Sequence, residues 1–125
     1  MIGWNIRVYR QPDGGHSPAT NRSPAGTRLA IWQTNAYGLQ WLNELAAGGK
    51  AMDLGGDGYP NCYTATAEHL LPRILEGPPL ANDTWIIGEG IIDPNVWVGK
   101  TLIEHATARQ CRFDEWLLVV AWDES

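Results

Sequence analysis

The 125-residue chain carries fourteen acidic against nine basic residues, a formal charge of −5, and is 44% hydrophobic but only 18% charged. A chain of this size holds one hydrophobic core and buries roughly two-thirds of its unfolded surface, so it can fold as a single domain over residues 1–125 without metal or disulfide staples. The acidity, with no run of Lys or Arg, argues against nucleic acid as a partner, and no segment reaches the ~18 apolar residues of a membrane span.

Residues 3–9 alternate, with Trp4, Ile6 and Val8 on one side and Asn5, Arg7 and Tyr9 on the other, the period-two mark of a half-buried strand. Residues 27–33 read as a second strand. The stretch 11–26 between them is too rich in Pro, Gly and Ser for regular structure and reads as a long flexible loop. Asn35 is a suitable cap for a helix through Leu39, Trp41, Leu42, Leu45 and Ala46, which Gly48-Gly49 would stop. A short strand over 50–54 is followed by turn chemistry from Gly55 to Asn61. A helix then starts near Thr66 and turns Leu70, Leu71, Ile74 and Leu75 to one side, with Pro72 inside it to kink or restart it.

Residues 84–88 read as a strand. Asp93-Pro94 signals a helix start, with Val98, Leu102, Ile103 and Ala106 facing inward and an end near Cys111. Finally, 116–122 is apolar throughout and predicts a central strand covered on both faces. The order β-β-α-(β)-α-β-α-β predicts an α+β fold: a single mixed sheet of four to five strands with about three helices packed on it.

Seven Trp stand against a single Phe. An indole combines a large apolar surface with an N–H that needs a partner, a pairing suited to polar-edged cavities and interfaces. Trp32, Tyr59, Trp85 and Trp97, on strands or beside loops, are the candidate ligand-lining residues. Asp53 and Asp57 occupy the first and fifth positions of a calcium-loop register, with Gly58 sixth, but Gly55 and Thr64 stand where further ligands are required. Turn chemistry accounts for the segment, and no metal or cofactor is expected.

Glu68-His69 and Glu104-His105 are each followed by an Arg four residues after the His, namely Arg73 and Arg109. Neighbouring helical residues point about 100° apart, so neither dipeptide chelates a metal alone. A catalytic reading needs His69 and His105 to converge, with a carboxylate such as Glu68 or Asp57 orienting one imidazole. Glu89, between two glycines at a strand end, is the remaining acidic candidate. Cys62, after a turn, is a candidate exposed thiol, but no nucleophile signature surrounds it.

No catalytic set is assembled in the sequence, whereas Trp and glycine-rich loops are well supplied. The leading expectation is a non-enzymatic binding domain with a Trp-lined pocket or interface for a small organic ligand or a protein partner, able to self-associate as a homo-oligomer. The alternatives are a small hydrolase or isomerase using His with Glu or Asp, and an acidic immunity-type protein that neutralises a basic partner. Two cysteines and a start without the basic and apolar regions of a signal peptide point to the cytoplasm.

Overall fold

A computed structural model describes residues 3–12, 14–20, 26–35, 39–56, 60–75, 85–87, 90–92 and 102–123. Along the chain run β1 (Gly3–Arg10), β2 (Arg28–Asn35), α1 (Gln40–Ala47), β3 (Ala51–Gly55), β4 (Asn61–Thr66) and α2 (Ala67–Leu75). They are followed by β5 (Trp85–Ile87), β6 (Gly90–Ile92), β7 (Leu102–Ile103), α3 (His105–Ala108) and β8 (Trp116–Asp123). Six strands form one sheet in the order β3-β4-β8-β1-β2-β7, and β5 and β6 pair separately.

Every pairing is antiparallel. The α+β class therefore holds for the described residues, but the mixed sheet of four to five strands is replaced by a six-stranded, wholly antiparallel one. The strand expected over 84–88 lies outside this sheet, as β5 paired with β6, and two further segments join the sheet as strands. Asn61–Thr66 follows a turn and precedes a helix, yet it pairs on both sides as β4, with β3 and with β8. Four consecutive buried residues, Cys62–Ala65, hide any alternation in it, while its Tyr and two Thr favour the pleated conformation. Leu102 and Ile103, expected inside a helix, pair instead with Ile31 and Ala30 as β7. Only the one turn of α3 remains of that helix among the described residues.

Strand β8 is central, hydrogen-bonded to β4 on one side and β1 on the other. Leu117, Leu118, Val119, Val120 and Ala121 are all buried. Each large side chain among them contributes about 1.5–3 kcal/mol by leaving water, provided that both faces are covered. On one face Leu117, Val119 and Ala121 join Ile6, Val8 and Trp32 of the neighbouring strands, and Leu42 of α1 with Leu70 and Ile74 of α2 closes over them. Trp32 and Trp41 meet there with ring centroids 6.2 Å apart, and the Arg73 guanidinium lies 5.8 Å from the Trp41 ring. The Tyr63 hydroxyl donates to Asn43 Oδ1 at 2.9 Å, joining β4 to α1, and burial pushes its pKa up to about 12.

On the other face Leu118 and Val120 cluster with Cys62 and with Ala19 of the 11–26 loop. The described part of that loop is tied down by hydrogen bonds to β4 and β8. Ala19 N–H donates to Thr64 Oγ1 at 3.0 Å, and the Thr64 hydroxyl donates onward to Leu117 O at 2.8 Å. Trp116 N–H donates to Gly15 O at 2.8 Å, and Gln11 Nε2 donates to Trp116 O at 3.0 Å. No helix among the described residues is long and apolar enough to cross a membrane.

Helix α1 starts at Gln40 with Leu39 as its N-cap, whereas Asn35 is the last residue of β2. Its other end follows the glycine signal. Gly49, at φ +76°, donates to Ala46 O at 3.1 Å, and Lys50 N–H reaches Leu45 O at 2.8 Å, the paired bonds of a Schellman cap. Gly15 is also left-handed, at φ +73°, but a Cβ there would sit 2.6 Å from Glu115 Cγ and 2.7 Å from Trp116 O. Nothing lies within 4 Å of a Cβ on Gly49. Gly49→Ala is therefore expected to cost about 1 kcal/mol, the conformational penalty alone. Gly15→Ala adds a steric clash and is expected to cost about 3 kcal/mol. Urea unfolding of both variants checks the order, and equal losses would refute it.

Candidate functional site

Helical geometry divides the apolar side of α2 into two rows. Leu70 and Ile74, four residues apart, point into the sheet core. Leu71 and Leu75, turned about 100° from them, line a cleft against the 108–113 segment. Ala67, Glu68 and Pro72 complete the α2 wall, and Ala108, Arg109, Cys111 and Phe113 form the opposite one. The cleft encloses about 320 Å³, at the lower end of the range for small-molecule sites.

The two walls are held together by backbone. Helix α2 follows β4 with no residue between them, so its first amides emerge at the sheet edge and need acceptors. Ala67 N–H donates to Glu115 O at 2.8 Å, and Glu68 N–H donates to Phe113 O at 3.1 Å. These bonds fix the 113–115 turn across the start of α2 and leave the Phe113 ring 80% exposed.

Close to Cys111 of this cleft lies a partly buried ion pair. Arg10 Nε donates to Glu115 Oε2 at 2.8 Å and Nη2 to Oε1 at 3.0 Å, the parallel two-bond form that guanidinium and carboxylate prefer. The side chains are 28% and 2% exposed, respectively. The Arg10 hydrogen bonds hold the Glu115 carboxyl below its ordinary value of 4.5, against the opposing effect of burial. Beside them, burial and then the Glu115 charge push the Cys111 thiol up to about 11, so it is a poor nucleophile at neutral pH.

A second cleft, of about 520 Å³, is lined by Arg10, Gln11, Pro12, Gly14, Gly26 and Thr27. Among its described lining residues the one charge, Arg10, is already balanced by Glu115.

The residues singled out in the sequence are dispersed. Trp32 is fully buried against Trp41 in the core and lines neither cleft. Trp85 lies in β5, with its side chain outside the described set, and Asp57, Tyr59, Glu89 and Trp97 are outside the described residues. His69 is half-buried on α2, with Nε2 3.3 Å from Oε1 of its neighbour Glu68. His105 is exposed at the start of α3. Among the described residues no hydrogen bond or ion pair joins the two histidines, and no group of three His, Cys, Asp or Glu is placed to hold a metal ion. Cys62 is buried on the second sheet face, so it is not the exposed thiol suggested by its position after a turn. Asp53 Oδ1 accepts Gly55 N–H at 2.8 Å, the turn chemistry read from that segment.

The residues that build the clefts carried little local signal. Phe113, the single Phe of the chain, sits among Arg112, Asp114 and Glu115, and an aromatic in a charged turn is a cue to surface function. Nothing near Glu115 in sequence marks it as buried, because Arg10 lies 105 residues away. Comparison with protein-family models, curated proteins and solved structures found no match.

Arg10→Met is expected to cost about 3 kcal/mol, because it leaves the Glu115 carboxylate buried without its cation. Replacing both partners, as Arg10→Met with Glu115→Leu, is expected to recover most of that loss. The depressed pKa of Glu115 sets the sign with pH. Its stabilisation is present above the ordinary value near 4.5 and is lost as the pH falls through the lower folded value. Denaturation at pH 7 and pH 3 checks both, and a double variant no more stable than Arg10→Met would contradict the pairing.

Proposed function

We propose that this chain is a non-enzymatic binding domain and that the cleft between α2 and residues 108–113 takes a small organic ligand. The observation that carries the reading is the cleft itself: a concave, mainly apolar space of about 320 Å³, with Phe113 80% exposed beside it. An exposed aromatic over an apolar hollow loses little on leaving water and gains contact area when a ligand fills the space. The volume suits a small molecule better than a protein segment, which needs a wider contact surface. Two free cysteines, one buried and one held well above its ordinary pKa, are compatible with a reducing compartment such as the cytoplasm.

N-phenyl-1-naphthylamine, a neutral apolar dye, is expected to brighten on binding. Phe113→Ala is expected to weaken that binding about fivefold or more with little change in melting temperature, since the ring is largely outside the core. A dye that binds the variant as well as the parent would reject this cleft. Capture of a macromolecular partner that leaves dye binding untouched would favour the protein-partner reading.

Self-association is a second reading, favoured by large apolar side chains on the outside of the sheet: Trp122 is 40% and Leu102 46% exposed. Light scattering at two concentrations is expected to show a concentration-dependent mass that Trp122→Lys abolishes. A monomer at both concentrations would reject it.

A further inference from the structure

The Arg109 guanidinium belongs to a residue that lines the apolar cleft opposite the α2 wall. It is exposed, and no hydrogen bond or ion pair engages it among the described residues. The other cations of this region are occupied. Arg10 is held by Glu115, Arg73 lies over Trp41, and Arg112 donates to Gly14 O and approaches Asp114. Among the described lining residues the one carboxylate is Glu68, 3.3 Å from Nε2 of its neighbour His69. Among the described residues the cleft thus offers a hydrocarbon-lined hollow with one cation, Arg109, that no hydrogen bond or ion pair engages, and one carboxylate, Glu68, on the α2 wall.

Resting on the binding role proposed above, we infer that the ligand is an organic acid with an apolar body, its carboxylate paired with Arg109 and its hydrocarbon against Leu71, Leu75 and Phe113. A planar guanidinium matches a carboxylate through two parallel hydrogen bonds, which adds orientation to attraction. The net charge of −5 repels anions from the molecule as a whole. Preference for an acid over the matching neutral alcohol therefore has to come from a local cation.

Octanoate, octanol and octylamine, titrated calorimetrically into the full chain, separate the possibilities. Octanoate is expected to bind about fivefold tighter than octanol, the upper range for a pair at an exposed site. Arg109→Gln is expected to remove that difference and leave octanol unchanged, and Arg109→Lys to restore part of it. Raising the salt is expected to weaken octanoate alone. Octanol binding as tightly as octanoate, octylamine binding tightest, or Arg109→Gln weakening acid and alcohol equally would each overturn the inference while leaving the cleft as a binding site. If none of the three binds or displaces N-phenyl-1-naphthylamine while the dye still binds, the inference falls alone; a dye that does not bind either removes the binding role with it.

Discussion

Leu117–Ala121 form an unbroken apolar run in β8, and because alternate residues of a strand point to opposite faces, no single packing layer can shelter them. Both sides of the sheet must be covered, and the rest of the architecture follows from how this is done. Helices α1 and α2 supply one cover, with Leu42, Leu70 and Ile74 over Leu117, Val119 and Ala121. A stretch of loop supplies the other, with Ala19 against Cys62, Leu118 and Val120. A loop can do this only if its own polar backbone is satisfied, and Thr64, the main chain of Trp116 and, from within the loop, the Gln11 side chain on Ser17 O provide partners.

The entry to β8 is where these two covers are joined. Glu115 stands one residue before the strand, its carbonyl accepting from the first amide of α2 and its carboxylate gripping Arg10 at the end of β1. Gly15 packs against its side chain with no room for a Cβ. A buried carboxylate is tolerated because two charge-assisted hydrogen bonds replace its lost water, and removing the cation would leave that charge stranded. The pair therefore ties β1, the loop and α2 to one point. Its chemistry is consumed in holding the fold, as the lowered Glu115 and raised Cys111 pKa values reflect.

The apolar cleft is a by-product of the same junction. Once the 113–115 turn is bonded to the start of α2, the second apolar row of that helix, Leu71 and Leu75, faces residues 108–113 across a gap. The shared Glu-His-x-x-x-Arg pattern is divided by its surroundings. In α2 its Arg73 is drawn over Trp41, whereas after the single turn of α3 its Arg109 stays beside the cleft. Similar sequences thus deliver one cation packed over an aromatic ring and one beside the cleft.

What the amino-acid order determined on its own is the local content. Alternation placed β1, an apolar run placed β8 at the centre, leucine spacing placed α2, and Gly48-Gly49 placed the end of α1. These signals act over a few residues, through side-chain periodicity and backbone freedom, and need no partner to be read. The antiparallel order of the sheet, the strand at Asn61–Thr66 and the pairing of Leu102–Ile103 with β2 were not legible in this way. A strand buried on both faces loses its alternation, and a two-residue strand is too short to have one. The cleft and the Arg10–Glu115 pair belong entirely to the tertiary structure. Their members are chosen when distant segments collapse onto β8, where a carboxylate finds its cation 105 residues away and an aromatic in a polar turn finds an apolar wall.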